Sequence, residues 1–213
     1  TRGLVETLRL FVDICAAVAY AHGRLVVHRD IKLSNVLVSR DGKAKLLDFG
    51  IAKLLSTEHG KVGETNTSAN PLTPRYAAPE QLRGDPVGVT TDVFGLGLLL
   101  FEMLTGRLPS GMQELAIAPE HMRLQRASEA CDDHTRAIHL RGDLDTIIAQ
   151  AIEADPARRY QTVETMAQDV ERYIDKRPIL ARPTSLAYRM LKFWQRHRIA
   201  VATTFLFLMG TAA

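Results

Sequence analysis

Apolar side chains along this chain recur mainly at the spacing of helices. In the first segment the apolar positions of residues 8–22 fall on one helical face, which predicts an amphipathic helix of about five turns that ends at Gly23. The same spacing predicts helices over 143–154 and 163–173. Residues 94–104 are apolar on nearly every side, as in a helix buried in a core. The chain is therefore expected to be mainly α-helical.

A short β-hairpin interrupts the helical pattern. Two apolar runs, 35–38 and 44–47, flank an Asp-Gly pair at Gly42, and glycine accepts the positive φ angle that a tight turn requires. Residues 56–74 are rich in Ser, Thr, Asn, Gly and Pro with almost no apolar periodicity, which predicts a long surface loop with a functional role. Residues 107–142 give no clear pattern, so we predict no function there.

Two glycines lie one residue apart within the apolar helix, at Gly95 and Gly97. A nucleotide-binding loop would need a third glycine and would lie between a strand and a helix. We therefore predict that these glycines allow the helix to pack closely against a neighbouring segment.

The charge of the chain is distributed unevenly. Its 213 residues are 46% hydrophobic and 24% charged, as in an ordinary globular domain. From Lys176 onward there are seven Lys and Arg and no Asp or Glu, which leaves 20 basic and 24 acidic residues before it. The body is thus mildly acidic and the tail basic.

Cys15 and Cys131 match no metal or redox spacing, which argues against a disulfide framework and favours a reducing compartment.

The last fifteen residues, 199–213, carry no charge. As a helix they would rise about 22 Å, less than the roughly 30 Å of a bilayer's hydrocarbon core, so we predict the start of a truncated transmembrane helix. A basic collar with an interfacial aromatic residue precedes it, which by the positive-inside rule places the rest of the chain on the cytoplasmic side. The collar consists of Lys192, Trp194, Arg196 and Arg198. A C-terminal core helix is the alternative interpretation.

A dense polar cluster lies just before the hairpin. Residues 28–35 follow the pattern H-R-D-x-x-x-x-N, whose four fixed positions would occur by chance in such a chain only about once in a thousand. An Asp-Phe-Gly triplet at 48–50 follows the hairpin, and an Ala-Pro-Glu triplet at 78–80 closes the long loop. Several motifs in a fixed order are a far more specific signal than one motif alone.

These motifs resemble the large lobe of eukaryotic-like (Hanks-type) serine/threonine protein kinases, specifically the bacterial kinases anchored by one membrane helix. The resemblance spans about residues 4–178 and includes Asp92 in "TTDVFGLG" and Arg159 in "DPARRYQT". It implies a mainly α, kinase-like C-lobe over 1–180, in which a small hairpin carries the catalytic and metal-binding loops. A basic juxtamembrane segment over 181–198 would connect this lobe to the membrane helix.

The resemblance also implies roles for individual residues. Asp30 would be the catalytic base toward the substrate hydroxyl, and Lys32, which favours Ser/Thr substrates, would contact the γ-phosphate of ATP. Asn35 and Asp48 would bind Mg²⁺, or Mn²⁺, against the ATP phosphates. Leu33 stands where the family usually has proline, which loosens one backbone constraint but removes no ligand.

Other residues of the motifs are expected to support the site. Arg29 would bind a phosphorylated residue of the long loop, because arginine recognises phosphate through several donors. Thr73 would support the catalytic loop beside the substrate. The remaining motif residues are expected to be structural: His28, Glu80, Asp92 and Arg159.

The expected function is Mg-ATP-dependent phosphoryl transfer to Ser or Thr of protein substrates, on the cytoplasmic face of the bacterial plasma membrane. Only 29 residues precede Asp30, and one helix accounts for them, so we expect the small lobe to be missing and these 213 residues alone to be inactive. A non-catalytic, membrane-tethered pseudokinase-like module is the alternative. A homodimer for autophosphorylation is a further expected partner, and no nucleic acid is expected to bind.

Overall fold

The computed structural model describes residues 3–48, 73–112, 124–183, 185, 188–190 and 192. The helices within these ranges pack around one apolar core, and a two-stranded sheet lies at its edge. The elements are α1 (Leu4–His22), β1 (Val36–Val38), β2 (Ala44–Leu46), α2 (Pro79–Arg83), α3 (Val89–Thr105), α4 (Ala127–Ala130), α5 (His134–Leu140), α6 (Asp143–Ala151) and α7 (Val163–Ile174). This matches the predicted mainly helical fold with one hairpin.

Helix α1 forms as its apolar periodicity predicts. Leu8, Phe11 and Ile14 are fully buried on the face that packs against α7 and α3. The backbone N–H of Gly23 closes the last turn by donating to Ala19 O at 3.0 Å, so the predicted end of the helix is confirmed. Cys15 is also buried in α1, whereas Cys131 is partly buried, and both cysteines are free.

The hairpin has the predicted turn. β1 and β2 pair antiparallel with Val36 opposite Leu46, and Gly42 adopts a φ of +79° in the turn between them. Ser39 donates its backbone N–H to Lys43 O at 2.9 Å, which closes the turn. β1 begins one residue after the start of its predicted run, and β2 ends one residue before the end of its run. The two residues left out lie at the base of the hairpin and belong to the neighbouring loops.

Helix α3 is the centre of the core and begins five residues before the predicted start. Its first turn is polar, so apolar spacing alone does not reveal it; Thr91 caps this end by accepting the Gly88 N–H at 3.1 Å. The close packing predicted for its two glycines is confirmed. A Cβ added at Gly97 would lie 2.7 Å from Ile152 Cγ2 and 2.8 Å from Ala151 Cβ.

One of the two C-terminal helices, α6, is shorter than predicted. α6 starts at Asp143 as expected but ends at Ala151, and a separate 3₁₀ turn, Pro156–Arg158, follows. Asp155 caps this turn by accepting the Ala157 N–H at 2.9 Å, which explains why the helix does not continue to it. α7 forms as predicted, with Thr162 as its N-cap.

The predicted juxtamembrane segment does not leave the domain at residue 180. Lys192 Nζ lies 2.6 Å from Asp143 Oδ2, and both side chains are buried. Lys192 therefore pairs within the domain, and its predicted place in the basic collar stays a prediction. Among the described ranges no helix is long and apolar enough to cross a bilayer, and residues 199–213 lie outside those ranges.

Gly97→Ala tests the close approach of α3 to α6. The added methyl group would overlap two side chains, and this strain exceeds the gain in helix propensity, so we expect a net loss of about 1 kcal/mol in the free energy of unfolding. Gly23→Ala is the matched control, because its φ is −61° and an added Cβ meets only ordinary contacts at 3.6 and 3.7 Å. Equal urea midpoints for the two variants would contradict the close approach.

Candidate active site

One buried carboxylate holds the loop formed by residues 28–35. Asp92, in the first turn of α3, is 1% exposed and accepts the backbone N–H of His28 at 2.7 Å and that of Arg29 at 2.8 Å. Arg29 has a φ of +66°, a left-handed conformation that costs a non-glycine residue on the order of 1 kcal/mol. Hydrogen bonds to a charged group contribute about 1.5 to 3 kcal/mol each, so Asp92 offsets this cost.

His22 adds a third contact to the same carboxylate. Its Nε2 lies 2.7 Å from Asp92 Oδ2, and the His22 side chain is almost completely buried. Because His22 is the last residue of α1, the contact ties that helix to α3 beneath the 28–35 loop. Sequence analysis missed this role, since no local pattern links two residues that are 70 positions apart.

The ring of His28 is fully buried and connects two segments of the site. Nδ1 accepts the backbone N–H of Asp30 at 3.3 Å, and Nε2 lies 3.1 Å from the carbonyl oxygen of Leu47. A neutral imidazole protonated at Nε2 satisfies both contacts. This arrangement suits a structural residue, because both ring nitrogens are directed at the protein backbone.

Three polar side chains converge at the far side of the 28–35 loop. Lys32 Nζ lies 2.8 Å from Asp30 Oδ2, and both side chains are partly accessible to solvent. Asn35 donates from Nδ2 to the backbone oxygen of Asp30 at 2.9 Å and to its carboxylate at 3.4 Å. The loop thus presents an ammonium group and an amide, each within contact distance of the same carboxylate.

The chain returns to this cluster after β2. Leu47 donates its backbone N–H to Asn35 O at 2.8 Å, which places the next residue, Asp48, beside the loop with an exposed side chain and a φ of +52°. The amide oxygen of Asn35 and the carboxylate of Asp48 fit Mg²⁺, which commonly binds one or two protein oxygens together with phosphate and water oxygens. Residues 49–72 lie outside the described ranges.

Gln81 joins the 28–35 loop to the segment that follows the long surface loop. Its Nε2 donates to Arg29 O at 3.0 Å, and its Oε1 accepts the Ala78 N–H at 3.0 Å. Sequence analysis missed Gln81, because a single polar residue after a motif carries no signal of its own. Thr73 begins a 3₁₀ turn, and its predicted support of the loop stays a prediction.

A buried ion pair supports this segment from below. Arg159 donates to both carboxylate oxygens of Glu80, at 2.7 and 2.8 Å, and Thr91 Oγ1 donates to the same carboxylate at 2.8 Å. Burial alone would raise the pKa of Glu80, but the hydrogen bonds and charge of Arg159 outweigh it and hold that pKa below its usual value. Arg159 also donates to backbone carbonyl groups, including Thr90 O at 2.9 Å, so its charge is well accommodated.

Comparison with known proteins places this site in a family. Residues 5–170 match the protein kinase domain family. This chain belongs to the protein kinase family. The kinase domain is 34% identical over 174 residues to the serine/threonine-protein kinase PknB of Mycobacterium tuberculosis, which covers 81% of this chain and 27% of that protein. It is 35% identical over 171 residues to the serine/threonine-protein kinase PrkC of Bacillus subtilis, covering 80% of this chain and 25% of that protein. The chain thus spans about a quarter of the length of these relatives.

The kinase domain brings the predicted site residues together to different degrees. Lys32 and Asn35 each contact Asp30 directly, and Asp48 is joined to this cluster through the Leu47 backbone. The residues predicted to be structural lie beneath this cluster as buried groups. They are His28, Glu80, Asp92 and Arg159.

Arg159→Met tests the buried ion pair. The substitution leaves Glu80 buried without its cation, so we expect a loss of about 3 to 5 kcal/mol in the free energy of unfolding at pH 7. Arg158→Met is the matched control. The neighbouring Arg158 side chain is 75% exposed and comes no closer than 4.0 Å to Asp155, and such surface pairs contribute little to stability. Urea denaturation measures both variants.

The same comparison has a predicted dependence on pH. Because the folded-state pKa of Glu80 is lowered, the pair contributes its full stability above the pKa of an unfolded glutamate, and this contribution is lost as pH falls through the folded pKa. The difference between wild type and Arg159→Met should therefore shrink on acidification. A difference that is small at pH 7, or that grows in acid, would contradict the stabilising role of the pair.

Proposed function

We propose that the natural protein containing this domain is a serine/threonine protein kinase that transfers the γ-phosphoryl group of Mg-ATP to Ser or Thr of proteins. The observation that carries this proposal is the contact cluster of Asp30, Lys32 and Asn35 on a loop fixed by Asp92. Phosphoryl transfer needs positioned charges rather than a covalent intermediate, and this cluster provides them.

Each side chain of the cluster has a distinct task in this proposal. Mg²⁺ bound with ATP would supply charge neutralisation at the phosphates. Asn35 and Asp48 would hold the metal through oxygen atoms, and Asn35 also fixes Asp30 through its Nδ2. Asp30 would orient the substrate hydroxyl and take its proton. Lys32, whose Nζ lies 2.8 Å from Asp30 Oδ2, would contact the transferred phosphoryl group next to the base.

The environment of Arg29 supports the proposal that phosphorylation of the long loop regulates the kinase. Its Nε is buried and has no hydrogen-bond partner within the described ranges, so the guanidinium has an unused donor. A phosphorylated Ser or Thr of residues 56–74 would supply the acceptor. We propose that a second copy of the kinase carries out this modification in a homodimer.

The hairpin presents an exposed apolar surface next to the site. Leu37 is 54% exposed, and Val38 and Leu47 are also exposed. We propose that the small lobe of the kinase packs here and completes the ATP site, so that residues 1–213 alone would transfer no appreciable phosphoryl group. The pseudokinase-like binding module remains the second candidate, with the same apolar surface as its docking site, but the intact polar cluster favours catalysis.

Asp30→Asn in the natural-length protein tests the catalytic role. The amide cannot accept the hydroxyl proton, so we expect kcat to fall by at least about a hundredfold, the lower range for loss of a general base. Asp132→Asn is the control: its side chain is 88% exposed beside Arg107, and its activity should match wild type. Transfer of labelled phosphate from ATP to a generic basic protein measures both, and full activity of Asp30→Asn would refute the assignment.

Removal of residues 199–213 tests the proposed anchor at the bacterial plasma membrane. These residues carry no charge, whereas Arg196 and Arg198 precede them, so we propose that the kinase domain faces the cytoplasm. The natural-length protein should stay in the membrane pellet after carbonate extraction, and a version without this segment should be released. A natural-length protein that is released equally would contradict the anchor.

A further inference from the structure

The segment after α7 folds back onto the kinase domain. The backbone N–H groups of Leu180 and Ala181 donate to the carboxylate of Asp169 at 2.6 and 2.8 Å. Asp169 is fully buried and also accepts the hydroxyl of Tyr160 at 2.9 Å. Three hydrogen bonds to a buried carboxylate are charge-assisted, and they hold this part of the chain against the domain.

A second set of contacts fixes the end of the same segment. Tyr188 accepts the backbone N–H of Ile179 at 3.1 Å, and Ile179 is fully buried. Lys192 Nζ lies 2.6 Å from Asp143 Oδ2, while Arg182 lies 3.7 Å from Asp143 and over the Tyr188 ring. We call the described residues of this segment, 179–183, 185, 188–190 and 192, the tail clasp.

The surface around the tail clasp is basic and partly apolar. Arg141, Lys176, Arg182 and Lys192 line one open cavity of about 800 Å³, whose acidic lining residues are Glu6 and Asp143. The charges of Asp143 and Lys192 cancel in their ion pair, which leaves the cations Arg141, Lys176 and Arg182 against Glu6, so the lining is basic. The tail clasp adds exposed Arg189 and two exposed apolar side chains, Leu180 and Met190.

The tail clasp also fixes how far this surface can lie from the proposed membrane anchor. Lys192 is held in the domain, and the uncharged run begins at Ile199, seven residues later. Seven residues span about 25 Å when fully extended and about 10 Å as a helix. With the proposed anchor starting at Ile199, the face that carries Lys192 would be the face nearest the bilayer.

We propose that this basic and apolar face docks on anionic lipid headgroups and holds the kinase domain in one orientation at the membrane. We call it the clasp face: Ile138, Arg141, Lys176, Leu180, Arg182, Arg189 and Met190. Attraction between basic residues and an anionic leaflet acts within about one Debye length, roughly 8 Å at physiological salt, and a tether of about 10 to 25 Å allows the face to come within that range. Apolar side chains beside such cations add interfacial burial. The inference rests on the proposed anchor.

A fluorescent probe at Met190 tests the docking in the natural-length protein. Met190→Cys is made in a Cys131→Ser background in which any cysteine outside residues 1–213 is also replaced by Ser. Cys15 is kept because it is buried, and an environment-sensitive dye is attached at position 190. The protein is reconstituted in vesicles of phosphatidylcholine alone or with one quarter phosphatidylglycerol, each with or without a headgroup nitroxide quencher. We expect blue-shifted emission and strong quenching only in the anionic vesicles.

Charge reversal identifies the cause of the docking. Arg141→Glu, Lys176→Glu and Arg189→Glu together should return emission and quenching to the values in neutral vesicles. Arg182 is left intact, because it contacts Asp143 in the tail clasp. The control combines Arg83→Glu, Arg126→Glu and Arg158→Glu, which make the same change in charge at cations that line no part of the cavity, and it should behave as wild type.

Flotation of the same samples separates the docking from the anchor. If the protein floats with both vesicle types, but the probe stays exposed to water or its emission does not change on charge reversal, the docking is overturned and the anchor is supported. If the protein floats only with anionic vesicles, and the charge-reversed variant does not float, the docking is supported and the anchor is refuted. A protein that floats with neither vesicle refutes both. If the probe in the control variant is equally buried in anionic and in neutral vesicles, the docking is also overturned.

Discussion

The carboxylate of Asp92 is the group on which the geometry of the site depends. It accepts two backbone N–H groups from the 28–35 loop and contacts His22, all within the core. Its negative charge lies in the first turn of α3, where the helix dipole favours an anion. Without these contacts, the left-handed conformation of Arg29 would lose its main compensation, and Asp30 would be held only by its contacts with His28, Lys32 and Asn35.

The same end of α3 organises the rest of the site. Thr91, next to Asp92, donates to Glu80, and Arg159 completes that buried pair from the lower helices. Gln81 then connects this level to the 28–35 loop through Arg29 O. The amino end of one buried helix therefore positions both the loop that carries Asp30 and the segment that follows the long surface loop. Close packing at Gly97 fixes the helix itself.

Much of this arrangement could be predicted from the sequence, but only where the signal is local. The helical spacing of α1 and α7 and the Asp-Gly turn report local geometry directly, and the ordered motifs identified Asp30 and Asn35. The roles of His22 and Gln81 depend on partners 70 and 52 positions away, which no spacing reveals. The ion pair of Lys192 could not be predicted for the same reason: a basic residue before an apolar run predicts a membrane collar, and its buried partner, Asp143, is visible only in the fold.

Amide hydrogen exchange of His28 and Arg29, followed by NMR, tests the role of Asp92 most directly. If their N–H groups donate to a buried carboxylate, both amides should exchange as slowly as those of the buried helix α3, and Asp92→Ala should accelerate their exchange selectively. If both amides exchange in wild type as fast as those of the exposed turn at Asp41, Asp92 does not hold the loop and the proposed site geometry is wrong.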